Sequence, residues 1–405
     1  MINLSFQKMK ITKLEQWLLL LLVIVFWGCS AQKTDQLPDH IKNIKNLTVY
    51  SANAVPNKKI TFKKTAIYGS TDQMLIGRIG DLAVDRLDRV FIADEQKQLI
   101  YVFKPNGQFI TQLGREGRGP SEFNYIKKVQ TRNNLLYAFD ANFGIRRVSV
   151  YTLDTLASDQ TIELARNRKK INSLTKTYPG VHEIYVRNNG SYVAEFISHG
   201  ANPTQKWQNK EIKGLLYPLD RTGDITSHKM IEFIEEIRTY HMGSRMGLLP
   251  IKAFFGNASI VLASDNTIYW AGPKNFLIKE YRSDGGYKQS FYYPRKKIPL
   301  TRKSALKAGV QDYYIKNMES MELPQTWPVV TNMKIDDQDQ LWVATTVEDM
   351  SVYEWWVLKN TGELITRFKW PRDKPIEEVK NGFMYTREMD ERGIENIVKY
   401  EIEMK

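Results

Sequence analysis

Arg115 and Arg118 stand among three glycines in GREGRGPSEF, residues 114–123. Two guanidiniums on a glycine-rich turn could grip a carboxylate or phosphate through their paired N–H donors and the backbone amides. The order, however, is G-x-x-G-x-G. A dinucleotide loop needs G-x-G-x-x-G between a strand and a helix, and the residues that follow, FNYIKKVQ, read as a strand. The glycines then serve a tight crossing that needs positive φ, and Pro120 stiffens it. Glu122 is placed to pair with either arginine or with the turn's own N–H groups. Both arginines remain candidates for an acidic ligand.

Carboxylates form a second set. Asp94 and Asp140 each end a strand of similar text, FIAD and YAFD, and Arg146 follows the latter. A ring of such groups could hold Ca²⁺ or a substrate. The competing role is local: an aspartate that caps its own turn by accepting backbone N–H bonds. The series breaks at Thr345, which favours the local role. Five histidines (His40, His182, His199, His228, His241) show no pair at zinc-ligand spacing, and no G-x-S-x-G elbow is present. No metal or cofactor is expected, with Ca²⁺ the one ion the carboxylates would suit. Aromatic side chains could stack on sugars: Trp207, Trp270, Trp342 and the YEWW run at 353–356. Packing between layers is the competing use for each.

The elements that would position these residues are short strands. From Ile79 to Gly114, DLAVD, DRVFIAD, QLIYVFK and GQFITQLG read as four strands joined by tight turns, the unit of a propeller blade. The unit recurs from Lys128, Val181, Pro250 and Val329. Its outer turn recurs as KPNGQF, DRTGDI, RSDGGY and KNTGEL. A sixth blade can be built from FMYTREMDERGIENIVKYEIE, completed by the early strands LTVYSA and KITFKKTAIYG. The expected fold is therefore all-β: a six-bladed β-propeller over 46–405 whose N- and C-terminal strands close the ring. One segment, about 300–323, has helical spacing with Thr301 as N-cap, and reads as an inserted helix.

The chain carries 405 residues with a formal net charge of +13. The charge is spread without a block of five basic residues, so it describes a basic surface. Lys8, Lys10 and Lys13 precede WLLLLLVIVFWG, and the only cysteine, Cys29, follows. The apolar run is short of the ~20 residues of a membrane span and suits a signal peptide. Residues 30–45 are polar and read as a tether, so 1–28 form the signal and 29–45 the link to the domain. Export excludes nucleic acid as a partner.

Cys29 in this setting looks like the lipidated cysteine of bacterial lipoproteins. The text IGRIGDLAVDRLDRVFIADEQKQLIYVFKPNGQFITQLGREGRGPSEF resembles the six-bladed, NHL-repeat-like propeller lipoproteins of Gram-negative bacteria. The matching places are Asp85, Asp94, Phe103, Gly107, Gly114, Gly117, Gly119, Pro120, Glu122 and Phe123. The resemblance implies a lipid anchor at Cys29 and a place in the cell envelope, on the outer membrane. It says little of activity, because propellers host many functions. Two expectations follow. The first is a non-catalytic binding or protein-interaction module that takes a glycan or protein ligand at the propeller mouth. The alternative is an exported, lactonase-like, metal-dependent hydrolase or lyase with its site on the central axis.

Overall fold

The computed structural model describes residues 37–71, 74–141, 145–164, 181–199, 208–240, 248–249, 252–320 and 323–405. Cys29, Trp207 and His241 lie outside them. The chain divides into a unit Met1–Ile44 and a unit Lys45–Lys405. Within the first, the expected tether holds a single helical turn, Asp39–Lys42. No helix among the described residues is long and apolar enough to cross a membrane.

The second unit is a six-bladed β-propeller. Blade one holds Ile79–Val84, Val90–Asp94, Leu99–Phe103 and Phe109–Leu113, paired in that order. Blade two holds Ile126–Arg132, Leu135–Ala141, Ile145–Thr152 and Ser158–Glu163. Blade three holds Val181–Val186, Tyr192–His199, Gln208–Leu219 and Ile231–Tyr240. Blade four holds Ser259–Leu262, Ile268–Ala271, Phe276–Tyr281 and Tyr287–Tyr293, and blade five Val330–Ile335, Leu341–Thr346, Val352–Leu358 and Leu364–Pro371. Blade six takes Ile376–Lys380, Phe383–Met389 and Glu395–Met404 from the C-terminus and its outer strand, Ile60–Tyr68, from near the N-terminus. The closing register runs from Ile60↔Met404 to Tyr68↔Ile397. Closure gives blade six its fourth strand and pairs the outer edge of Glu395–Met404.

LTVYSA does not join the closing blade, as its sequence suggested. Leu47–Val49 adds in parallel to the outer strand of blade four, Val49 opposite Tyr292. Tyr50 then stacks on Tyr293 at 4.8 Å, and its hydroxyl donates to Thr361 O at 2.8 Å. The four outer turns hold glycines at φ between 86° and 89°: Gly107, Gly223, Gly285 and Gly362. Only glycine adopts that conformation without strain, which is why the turn text repeats.

Each interface between neighbouring blades is an apolar layer. Between blades four and five, Phe276, Tyr293, Met333 and Trp356 interdigitate; between five and six, Trp342, Trp355, Ile376 and Met384 do. A side chain of this size that leaves water contributes about 2–3 kcal/mol. The insert is not one helix but two, Arg302–Lys307 and Asp312–Asn317. Thr301 caps the first through a capping box with Ser304, and Gly309 at φ 69° ends it. Ala305, Ile315 and Trp327 pack with Phe254, Phe255 and Met350, seating the insert on the rim between blades four and five.

Candidate functional site

The six innermost strands enclose the axis. In five of them one extra residue bulges out of the pairing with the second strand: Gly80, Lys127, His182, Thr331 and Glu377. The next residue is paired again, and it occupies equivalent places in all six blades. Asp81 faces Ala93, Lys128 faces Phe139, Glu183 faces Glu195, Ser259 faces Ala271, Asn332 faces Ala344 and Glu378 faces Tyr385. The result is a circuit of Asp, Lys, Glu, Ser, Asn and Glu around the channel.

An inner strand has one edge with no strand beside it, and its N–H and C=O groups need partners. Side chains from the preceding blade supply them. The Asp81 carboxylate accepts from Val129 N–H at 3.0 Å. Gln130 donates to Ile184 O and accepts from Val186 N–H. Lys380 Nζ donates to Val84 O at 2.7 Å and to Thr131 Oγ1 at 2.9 Å. These cross-links fix the channel wall.

The channel holds a cavity of ≈ 520 Å³ reached by strands of all six blades. Asp81, Lys128, Arg132, Lys334, Glu378 and Lys380 bring charge of both signs to its wall. Lys128 binds Glu183 at 2.7 Å, with Lys127 at 3.3 Å on the other carboxylate oxygen. Burial pushes the Glu183 pKa up, but the two lysines outweigh it and hold it at about 2. Burial likewise lowers Lys128, and Glu183 and Asp81 outweigh it and raise it. Burial dominates at Asp81, lifting its carboxyl to about 7 against the opposing Val129 N–H and Lys128. It dominates at Glu378 too, raising it despite Lys380 and Lys334. The Lys334 ammonium and the Glu378 carboxylate form no hydrogen bond or ion pair among the described residues. They are the channel groups left for a ligand.

One end of this cavity is rimmed by the turns that follow the inner strands, and these are bonded blade to blade around the whole ring. Arg86 donates to Asn134 Oδ1 at 3.2 Å, Arg132 to Asn188 Oδ1 at 2.7 Å, and Asn188 N–H to Asn266 Oδ1 at 2.9 Å. Ser264 N–H donates to Asp339 at 2.7 Å, Asn381 N–H to Asp337 at 2.8 Å, and Asn381 Nδ2 to Asp88 at 2.6 Å. Asp88, Asn133, Asn134, Asn266, Asp339 and Asn381 all have φ between 50° and 69°, a region these short polar residues tolerate.

The residues singled out from the sequence do not gather there. Asp94 accepts from the N–H groups of Gly77, Arg78, Gln96 and Lys97. Asp140 accepts from Asn124 and Tyr125 N–H and from Arg147 at 2.7 Å. Both carboxylates are saturated as turn caps, which leaves no room for an axial ligand ring. Trp342 is fully buried between blades and donates to Asp336 at 2.9 Å, so its ring offers no open face. Trp270 packs against Phe233 and lies 5.1 Å under Lys279 Nζ. Arg146 is half-buried on the third strand of blade two. Arg115 is held by Glu122 at 2.7 Å, and Glu122 also accepts from Gly119 N–H at 2.8 Å. A Cβ at Gly114 would strike the Phe123 ring, and one at Gly117 the Glu122 carboxylate. The Arg118 side chain stands exposed on the loop without a partner.

The channel residues were missed, yet their signal is simple. In four blades a charged residue stands two places after the apolar residue that opens the inner strand, as in IGD, IKK, VHE and IEE.

Comparison with known proteins agrees with this architecture. The family model described as a 6-bladed beta-propeller matches residues 69–235. Among solved structures, a Bacteroides fragilis protein described as exported has a TM-score of 0.50 at 12% identity, covering 89% of this chain and 99% of that one. A member of a family of unknown function from Bacteroides vulgatus scores 0.47 at 8% identity, covering 86% and 98%. A gluconolactonase of Xanthomonas campestris scores 0.41 at 9% identity, covering 87% and 92%. No curated protein matches the sequence. At such identities the likeness speaks for the fold alone: the chain is similar to six-bladed propellers across the ring.

Proposed function

We propose that this chain is an exported, lipid-anchored propeller that binds a small ligand of mixed charge in its central channel and does not transform it. The observation that carries this reading is the pair Lys334 and Glu378, a cation and a carboxylate on neighbouring inner strands that form no hydrogen bond or ion pair among the described residues. A ligand bearing both an anionic and a cationic or donor group, such as an amino acid, a short peptide or an amino sugar acid, meets both. The wall is otherwise bonded to itself and rigid, which lowers the ordering cost of binding. Among the described residues no histidine or cysteine lines the cavity, and Ser264 there donates its hydroxyl to Asp339 at 2.5 Å. The competing reading, a metal-dependent hydrolase or lyase on the axis, needs three converging donors, and the group of that kind among the described residues lies in blade three.

The test is calorimetric titration of the purified chain with a panel of amino acids, short peptides and acidic sugars. Lys334→Ala and Glu378→Gln are each expected to weaken the best ligand by about tenfold or more, the worth of a charge-assisted hydrogen bond. Arg115→Ala with Arg118→Ala should leave it unchanged. Loss with the arginine pair and not with the channel variants would move the site to the loop. The anchor rests on Cys29 and the apolar run before it. Mass spectrometry of the membrane-extracted chain is expected to find an acylated N-terminal Cys29, and an unmodified N-terminus elsewhere would remove the anchor from this account.

A further inference from the structure

Glu195 occupies a place in blade three where five other blades hold Ala93, Phe139, Ala271, Ala344 and Tyr385. A carboxylate at a core position is costly unless something meets its charge. Glu195 is 2% exposed, and a second carboxylate, Glu235, is 6% exposed. Glu235 is there because the outer pairing of the blade slips by one residue, Lys213 facing Ile234 and Ile212 facing Glu236. Such a bulge re-aims the extra side chain. His182 is the bulged residue of the inner strand, and its Nδ1 lies 3.5 Å from Glu195 Oε1. One ligand atom from each of the three falls within 4.8 Å of the other two. Two bulges on different strands thus converge on one substituted core position.

The surroundings make room for this group. Gly214, on the third strand, has no positive φ to explain it. A Cβ there would lie 3.0 Å from Glu195 Oε1 and would strike the Phe233 ring. The glycine makes room for the Phe233 ring, with the Glu195 carboxylate beside it.

We propose that His182, Glu195 and Glu235 form a binding site for a divalent transition-metal ion, with Zn²⁺ the ion best matched to one imidazole and two carboxylates. Nitrogen and oxygen donors bind Zn²⁺ at about 2.0–2.2 Å, and donors sharing one ion stand about 3–4 Å apart. Closing the group around the ion therefore takes a movement of about 1 Å, within reach of two glutamate side chains. Imidazole favours Zn²⁺ over Ca²⁺ and Mg²⁺. Three protein donors leave a coordination position for water, and His182, 29% exposed on its side chain, marks the path by which an ion enters. This site is independent of the channel ligand, so either can fail without the other.

The experiment is titration of the chelator-treated full chain with Zn²⁺, and with Co²⁺ for its visible spectrum. The expected result is one equivalent of Zn²⁺ bound, with affinity reduced by about 100-fold or more in both His182→Ala and Glu195→Gln. Circular dichroism and melting of each variant without metal establish that it is folded. Should Glu195→Gln fail to fold, His182→Ala and the Co²⁺ spectrum, whose imidazole contribution it removes, decide the matter. Absence of stoichiometric binding, or binding that survives His182→Ala unchanged, overturns the site.

Discussion

Asp81 shows most plainly how position governs chemistry in this molecule. An aspartate of ordinary type, placed on an inner strand, is raised to about 7 by burial. Because its folded pKa lies above the unfolded one, the neutral form is favoured on folding. Its contribution is fully present below about pH 4 and is lost as pH rises through about 7. The wild-type chain should lose stability over that interval. Asp81→Asn keeps an acceptor for Val129 N–H and removes the titration. Urea unfolding from pH 4 to pH 8 is expected to show a flatter profile in the variant, by on the order of 2 kcal/mol. Equal slopes would mean that Asp81 is ionised in the fold. Trp342, once a candidate for stacking on a ligand, is a core residue. Trp342→Ala should cost about 3–5 kcal/mol of stability by denaturant melting and leave ligand affinity alone.

At the scale of elements, the turns explain what could be read from sequence and what could not. The outer turns were legible because glycine at φ near 88° leaves a fixed mark in the text, as in KPNGQF and KNTGEL. The helical insert was legible in its start, through Thr301, but its division at Gly309 was not, because a single glycine in a helical pattern is ambiguous. LTVYSA was placed in the wrong blade, since a three-residue strand carries no register of its own. The turn ring around the channel was invisible, for its bonds join residues from separate blades. That ring makes a prediction. Asp339→Ala removes the acceptor for Ser264 N–H and Oγ and should cost about 1–3 kcal/mol. Hydrogen exchange should rise at the turns of blades four and five first. Exchange unchanged at Ser264 would show the ring to be incidental.

For the whole molecule, closure by Ile60–Tyr68 is the long-range feature that the ring depends on. It ties the beginning of the propeller to Glu395–Met404 across the full chain. A chain that starts after Tyr68 leaves blade six with three strands and the outer edge of Glu395–Met404 unpaired, and it strips Phe62 from Phe368 and Trp370, exposing those two rings. It is expected to lose cooperative melting. The fold was readable because blades repeat; the site was not, because it belongs to the differences between them. Asp81, Lys128, Glu183, Ser259, Asn332 and Glu378 share one structural place and five residue types, so no motif announces them. The central claim is that this place, with Lys334, is where the propeller meets its ligand. A crystal structure of the chain grown with the tightest ligand from the titration panel tests it most directly. The account predicts density in the channel, its anionic group on Lys334 and its donor group on Glu378. A ligand seated on the Arg115 and Arg118 loop, with the channel unchanged, would contradict it.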